Sequence, residues 1–227
     1  IPFLLSGTYA LSCYTGIIRP TKDVDVFAKA GDALRILSFF KERGFEVQIV
    51  DDRWLARVTR GEQFVDIITN MPTSATHVTD EWFRDAPEAV LFDIGVRLVP
   101  PTQFVWSKIY VQDRYRYDGA DVTHMILKRS EDINWAQLIS SMELHWEVLL
   151  VAVLNFRFIY PSERHLIPRW VMDELLERLH AQLEMPSAGK RVCRGRIFSP
   201  RDYQIDINEW GFSEAVGNLE EDYAAAH

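Results

Sequence analysis

The run Asp23-Val24-Asp25-Val26-Phe27 constrains this chain more than any other. Side chains on a strand alternate between faces, so residues i and i+2 project the same way. Val24 and Val26 then turn into the core, while Asp23 and Asp25 stand together on the other side. Two neighbouring carboxylates cannot both stay ionised cheaply without a cation. They share a proton or bind a metal, and hard oxygen donors favour Mg²⁺ or Mn²⁺.

The flanking segments read as a small α+β arrangement. Pro2 to Leu5 is apolar and stops at Ser6-Gly7; Thr8 to Tyr14 then reads as a helix ended by Gly16. Gly31-Asp32 opens a helix over Ala33 to Arg43, with Leu34, Leu37 and Phe40 at helical spacing and Gly44 as its stop. Three strands are expected at Phe45 to Val50, Trp54 to Thr59 and Gln63 to Thr69, the last two joined by a turn at Gly61-Glu62. Val90 to Val99 reads as a further strand or hairpin arm.

The texture changes at Pro100-Pro101. Helical periodicity then predicts Phe104 to Tyr115, Asp121 to Leu127, Trp135 to Ser140, Leu144 to Phe156 and Pro168 to Leu183. The tail beyond Pro186 is less patterned, with Lys190, Arg191, Arg194, Arg196 and Arg201 ahead of an acidic end at Glu220, Glu221 and Asp222. The expected plan is an α+β front half over 1–100 and a helical back half over 101–227, packed as one unit.

Composition narrows the function classes. With 227 residues and 48% hydrophobic content, the chain can bury an ordinary core. No apolar run reaches the roughly 18 residues that span a bilayer, so no membrane partner is expected. There is no signal-peptide pattern and no initiator Met, so a few leading residues are expected to be missing. Cys13 and Cys193 are the only cysteines, which points to a reducing cytoplasm, and Cys13 is expected to be buried and inert. A net charge of −8 argues against indiscriminate nucleic-acid binding, and no DNA partner is expected. His145, His165 and His180 have no shared ligand spacing and suggest no zinc site.

Three features gather around the acidic pair. Ser6-Gly7 lies between a strand and a helix, where glycine permits close approach of a ligand and the helix N-terminus offers N–H groups to phosphate; a plain tight turn is the alternative. Arg19-Pro20-Thr21-Lys22 precedes the pair, with Arg19 able to steer phosphate or remain a solvated loop charge. Asp66, in Phe64-Val65-Asp66-Ile67-Ile68, is a carboxylate inside an apolar strand, costly unless partnered. It suits either a satisfied structural role or a third ligand of a two-metal phosphoryl-transfer site.

The order of a Gly turn and helix, an Asp-x-Asp strand and a lone Asp strand about forty residues on resembles nucleotidyltransferases of the DNA polymerase beta superfamily. Gly7-Thr8-Tyr9-Ala10-Leu11, Tyr14-Thr15-Gly16, Arg19, Thr21 and the Asp23 run look like a bacterial group that includes AbiEii-type and MenT-type toxins of toxin–antitoxin systems. A second block, Pro100-Pro101, Trp106-Ser107-Lys108, Asp113-Arg114 and Tyr117-Asp118-Gly119-Ala120-Asp121, is similar in Lys108, Arg114, Asp118 and Asp121. It departs at Tyr117, where the group usually carries Lys.

The resemblance implies a nucleotidyltransferase-type mixed β-sheet flanked by helices. It implies two divalent ions, Mg²⁺ or Mn²⁺, on Asp23, Asp25 and Asp66, with Asp66 a general base. Ser6, Gly7, Arg19, Thr21 and Lys108 would receive the NTP, with Arg114, Asp118 and Asp121 in support. The implied reaction moves NMP from NTP, ATP among the candidates, to an acceptor hydroxyl and releases pyrophosphate. A tRNA end suits the toxin relatives, with a cognate antitoxin as partner and the Lys190 to Arg201 patch against RNA phosphates. A small-molecule or protein hydroxyl is the alternative, and a non-catalytic nucleotide- or partner-binding module is the reading from another class.

Overall fold

Val24 and Val26 share one side of the strand that carries Asp23 and Asp25 on the other. The computed structural model describes residues 1–71, 77–186, 189–199 and 201–215; the acidic end at Glu220, Glu221 and Asp222 lies outside the described residues. The chain divides into two compact units, Ile1–Phe104 and Val105–His227.

The first unit opens with β1 (Leu4–Leu5), α1 (Gly7–Thr15), β2 (Asp23–Phe27) and α2 (Ala30–Lys41). β3 (Glu46–Asp51), β4 (Leu55–Arg60) and β5 (Gln63–Ile68) follow. These strands form one five-stranded sheet in the order β1-β2-β5-β4-β3, in which β2 and β5 run parallel and the other pairs antiparallel. The sheet is therefore mixed, as expected.

Register sorts the side chains into two faces. One carries the rows Val24–Val65–Val58 and Val26–Ile67–Ala56. Ile67, Val58, Val26 and Ala56 are all buried, so this is the covered face. The other carries Asp25–Asp66–Arg57 and Asp23–Phe64–Thr59. Both early helices end where the sequence supplies a residue tolerant of left-handed backbone: Gly16 adopts φ 78° at the end of α1, and Gly44 φ 79° beyond α2. The unit closes with α3 (Asp80–Arg84), which the sequence pattern did not suggest, and a hairpin of β6 (Glu88–Leu91) and β7 (Ile94–Arg97).

The division between units falls within α4 (Pro101–Lys108), which starts at Pro101, a residue pre-set for the first helical turn. This helix corrects the expectation of Phe104 to Tyr115. It ends seven residues sooner than expected: the Val111 N–H turns back to the Lys108 carbonyl at 3.1 Å, and the Asp113 carboxylate then accepts from the backbone N–H groups of Tyr115 and Arg116, both at 2.7 Å. Such local bonding holds a turn in competition with a helix.

The second unit continues with α5 (Gly119–Arg129), α6 (Trp135–Ser141), α7 (Trp146–Ile159) and α8 (Arg169–Leu183). Met125, Leu138, Leu149, Val153, Phe156 and Leu175 are buried at its centre. The tail has more structure than its sequence suggested: β8 (Val192–Cys193) pairs in parallel with β9 (Ser213–Glu214), with α9 (Gln204–Asn208) between them. Among the described residues no single helix is long and apolar enough to cross a membrane; α6 and α7 pass only as a pair bent by 79°. Cys13 is half-buried rather than buried, because the buried stripe of α1 runs through Gly7, Ala10, Leu11 and Tyr14 and passes beside it.

Candidate active site

Strand register places Asp23, Asp25 and Asp66 on one face of the first unit's sheet. Asp25 sits opposite Asp66 on parallel neighbours β2 and β5, and Asp23 projects from the same face one step earlier. Both β2 carboxylates are half-buried, whereas Asp66 is buried.

Each carboxylate has a local reason for its place. Asp25 packs against the first residue of α1. Gly7 has φ +59°, and a Cβ there would overlap Oδ2 of Asp25 and lie 2.9 Å from its Cγ. Only glycine provides that room, and it brings the positive end of a helix to a carboxylate. In the fold this glycine accommodates Asp25. Ser6, beside it, is buried, takes extended backbone at the helix N-cap and donates its N–H to the Asp25 carbonyl at 2.8 Å. Asp23 is held by Thr21, whose hydroxyl donates to Asp23 Oδ1. Thr21 thus orients the Asp23 carboxylate. Arg19 is exposed on the loop before β2.

Asp66 is claimed by a residue the sequence reading passed over. Arg57, on β4, donates Nε to one Asp66 oxygen at 2.7 Å and Nη2 to the other at 2.9 Å. Its guanidinium also lies 4.1 Å from the centre of the Phe64 ring. The hydrogen bond to Asp66 first, and the charges of Asp66, Asp23 and Asp25 as well, hold Arg57 firmly protonated against the opposing effect of burial. The signal was present in the sequence. Strands that meet at Gly61-Glu62 pair symmetrically about that turn, and counting outward from Arg60–Gln63 reaches Arg57–Asp66.

Among the described residues, no three His, Cys, Asp or Glu side chains converge into a group that could hold a metal ion. Asp66 turns both of its oxygens to Arg57. Asp23 and Asp25 remain a same-face pair of hard oxygen donors, a donor set that fits Mg²⁺ or Mn²⁺.

A cleft of about 320 Å³ opens beside Asp23, at the end of the sheet where β2 and β5 begin and β4 ends. Tyr9, Phe45 and Phe64 line it with aromatic surface, Val24, Val58 and Val65 from the opposite face of the sheet add aliphatic surface, and Lys22 and Arg60 add positive charge. That mixture suits an anionic ligand with an aromatic group.

The second block assembles within the second unit. Lys108 is buried and donates to Asp118 at 2.6 Å, with Asp121 at 3.4 Å. Arg116 also pairs with Asp118, at 3.1 Å. Burial pushes the Asp118 carboxyl up, but Lys108 and then Arg116 outweigh it and hold the group below its ordinary value. Arg114 turns elsewhere, to Asp202 at 3.4 Å. Asp118 and Asp121, three residues apart at the start of α5, both reach Lys108.

No family model matches this chain, and no curated protein matches it in sequence. Solved structures do resemble it. One is the lincosamide antibiotic adenylyltransferase LnuA in its lincomycin-bound form, at 14% identity over 55% of this chain and 85% of that one, with a TM-score of 0.40. The antibiotic-resistance factor ANT(2'')-Ia is 17% identical over 72% of this chain and 86% of its own, with a TM-score of 0.44. An antigenic nucleotidyltransferase-like protein from Paracoccidioides brasiliensis is 16% identical over 73% and 83%, with a TM-score of 0.42.

Proposed function

We propose that the chain is a metal-dependent nucleotidyltransferase that moves NMP from an NTP to an acceptor hydroxyl with release of pyrophosphate. The observation that carries this reading is the row of Asp25 and Asp66 on parallel strands, with Asp23 on the same face and the start of α1 packed against Asp25. Three carboxylates at one sheet face, next to a helix N-terminus and a cleft with basic and aromatic walls, suit the handling of a nucleoside triphosphate.

Asp23 and Asp25 would hold a divalent ion, which supplies charge neutralisation for the triphosphate and acidifies the attacking hydroxyl. The N–H groups at the start of α1 and the charges of Arg19 and Lys22 hold phosphate oxygens. Tyr9 offers a face for the base in the cleft beside Asp23. Thr21 keeps the Asp23 carboxylate aimed. Asp66 takes the proton of the acceptor hydroxyl once it is released from Arg57. Positioning and electrostatics supply most of the rate, since the protein forms no covalent bond. Lys108 is held between Asp118 and Asp121 within the second unit.

The acceptor expected from the resemblance is a tRNA end, with a toxin-like role and a cognate antitoxin. A second reading, a small-molecule hydroxyl, is favoured by the pairing of the tail's basic residues. Arg194 meets Glu147 at 3.6 Å, Arg196 pairs with Glu214, and Arg191 lies 4.2 Å from the Phe212 ring centre. Basic residues engaged in this way leave a weaker patch for RNA phosphates.

The experiment incubates the protein with each α-labelled NTP, Mg²⁺ or Mn²⁺, and separate RNA, protein and small-metabolite fractions. Label in the tRNA supports the first acceptor and label in small molecules the second. Label in no fraction, with no pyrophosphate released from any NTP, would sink the catalytic reading.

A further inference from the structure

Arg57 is the cation set among the three carboxylates of the acidic face. Its fork covers both oxygens of Asp66 at 2.7 and 2.9 Å, and the Phe64 ring backs its guanidinium at 4.1 Å. The Arg57 side chain is 34% exposed, whereas that of Asp66 is 12% exposed. The arginine therefore has a way out toward solvent that the carboxylate lacks. A divalent ion that used all three carboxylates would need the oxygens that Arg57 now occupies. The two cations would also repel each other at that distance.

We propose that Arg57 is a built-in competitor for the divalent ion, so that Asp66 joins Asp23 and Asp25 as a ligand only when the guanidinium lets go. This rests on the metal-dependent reading above and adds a device that sets metal affinity. The Phe64 face gives the released guanidinium a surface to remain on, so it stays near the phosphates it can then neutralise. Arg57 is a positioning residue here: it acts through Asp66. The ordinary alternative, an arginine that merely props Asp66 in place, predicts the opposite sign on removal.

The test is a titration with Mn²⁺ alone, with free ion followed by electron paramagnetic resonance, on the wild type, Arg57→Gln, Arg57→Lys and Asp25→Asn. Arg57→Gln removes the charge and is expected to bind Mn²⁺ about tenfold more tightly than the wild type. Arg57→Lys keeps the charge but loses the fork, and is expected to gain a few-fold. Binding by Arg57→Gln that equals or falls below the wild type overturns the proposal. Should that variant fail to fold by circular dichroism, the same criterion passes to Arg57→Lys. Asp25→Asn separates the two ideas. If it loses binding while the Arg57 variants gain none, only the competition is wrong; if it binds as the wild type does, the metal reading falls and the competition with it.

Discussion

Oδ2 of Asp25 fills the space that a Cβ on Gly7 would occupy, so the first residue of α1 and the second carboxylate of β2 are mutually fitted. The backbone of Gly7 is also left-handed, at φ +59°. Gly7→Ala therefore meets two penalties at once. It forces an L side chain into a disfavoured region and displaces the Asp25 carboxylate. The expected loss is about 2–4 kcal/mol in a denaturant melt, together with weakened Mn²⁺ binding. A variant as stable as the wild type would show that Asp25 is free to move.

Lys108 should matter to stability independently of any substrate. It is buried, with side-chain exposures of 8% for Lys108, 11% for Asp118 and 2% for Asp121. Lys108→Met leaves two buried carboxylates beside each other without their lysine. The expected cost is about 3–5 kcal/mol, read by chemical denaturation at neutral pH.

The same lysine gives the second unit an acid dependence. Burial raises the Asp118 carboxyl, but Lys108 and Arg116 prevail and hold it below its ordinary value of 3.8. A carboxylate depressed on folding binds its proton more weakly in the native state than in the unfolded chain. Its contribution is therefore present above pH ~4 and is lost as pH falls through the folded value. Stability measured from pH 5 down to pH 2 should decline more steeply in the wild type than in Asp118→Asn. Equal slopes would show that Asp118 contributes nothing to acid denaturation.

His145 adds a second, separate pH response. Burial chiefly, and then the charge of Arg194, push its imidazole below 6.5, against the smaller opposing pull of Glu147. Its Nδ1 meets the Tyr110 hydroxyl at 2.9 Å, and burial pushes that hydroxyl up to about 12. The folded state therefore favours neutral imidazole, while the unfolded chain takes up a proton first as pH falls. Stability from this group is full above pH ~6.5 and drops below it until the folded value is reached. His145→Gln should flatten thermal stability between pH 7 and pH 5. An unchanged slope would remove His145 as its source.

Much of this arrangement was legible in the residues, and the exceptions have physical causes. The Asp23 run announced its own strand because two carboxylates alternate with two valines, and the register confirms which side each takes. Gly16 and Gly44 marked helix ends because left-handed backbone is cheap for glycine. Arg57 was missed because a lone basic residue in a strand carries no pattern of its own; only pairing across the Gly61-Glu62 turn puts it on Asp66. The early end of α4 was missed because apolar periodicity runs on past Lys108, whereas the Asp113 side chain captures the backbone locally. The tail's strands are two residues each, too short to leave a periodic trace.

Asp23 and Asp25 are expected to bring a divalent ion and an NTP to one face of the sheet. Calorimetry with a non-hydrolysable NTP analogue, with and without Mg²⁺, tests it on the wild type and on a folded Asp23→Asn, Asp25→Asn double variant. Mg²⁺-dependent binding by the wild type that disappears in the double variant is the expected result. Equal binding by the two proteins, or none by the wild type, would contradict it.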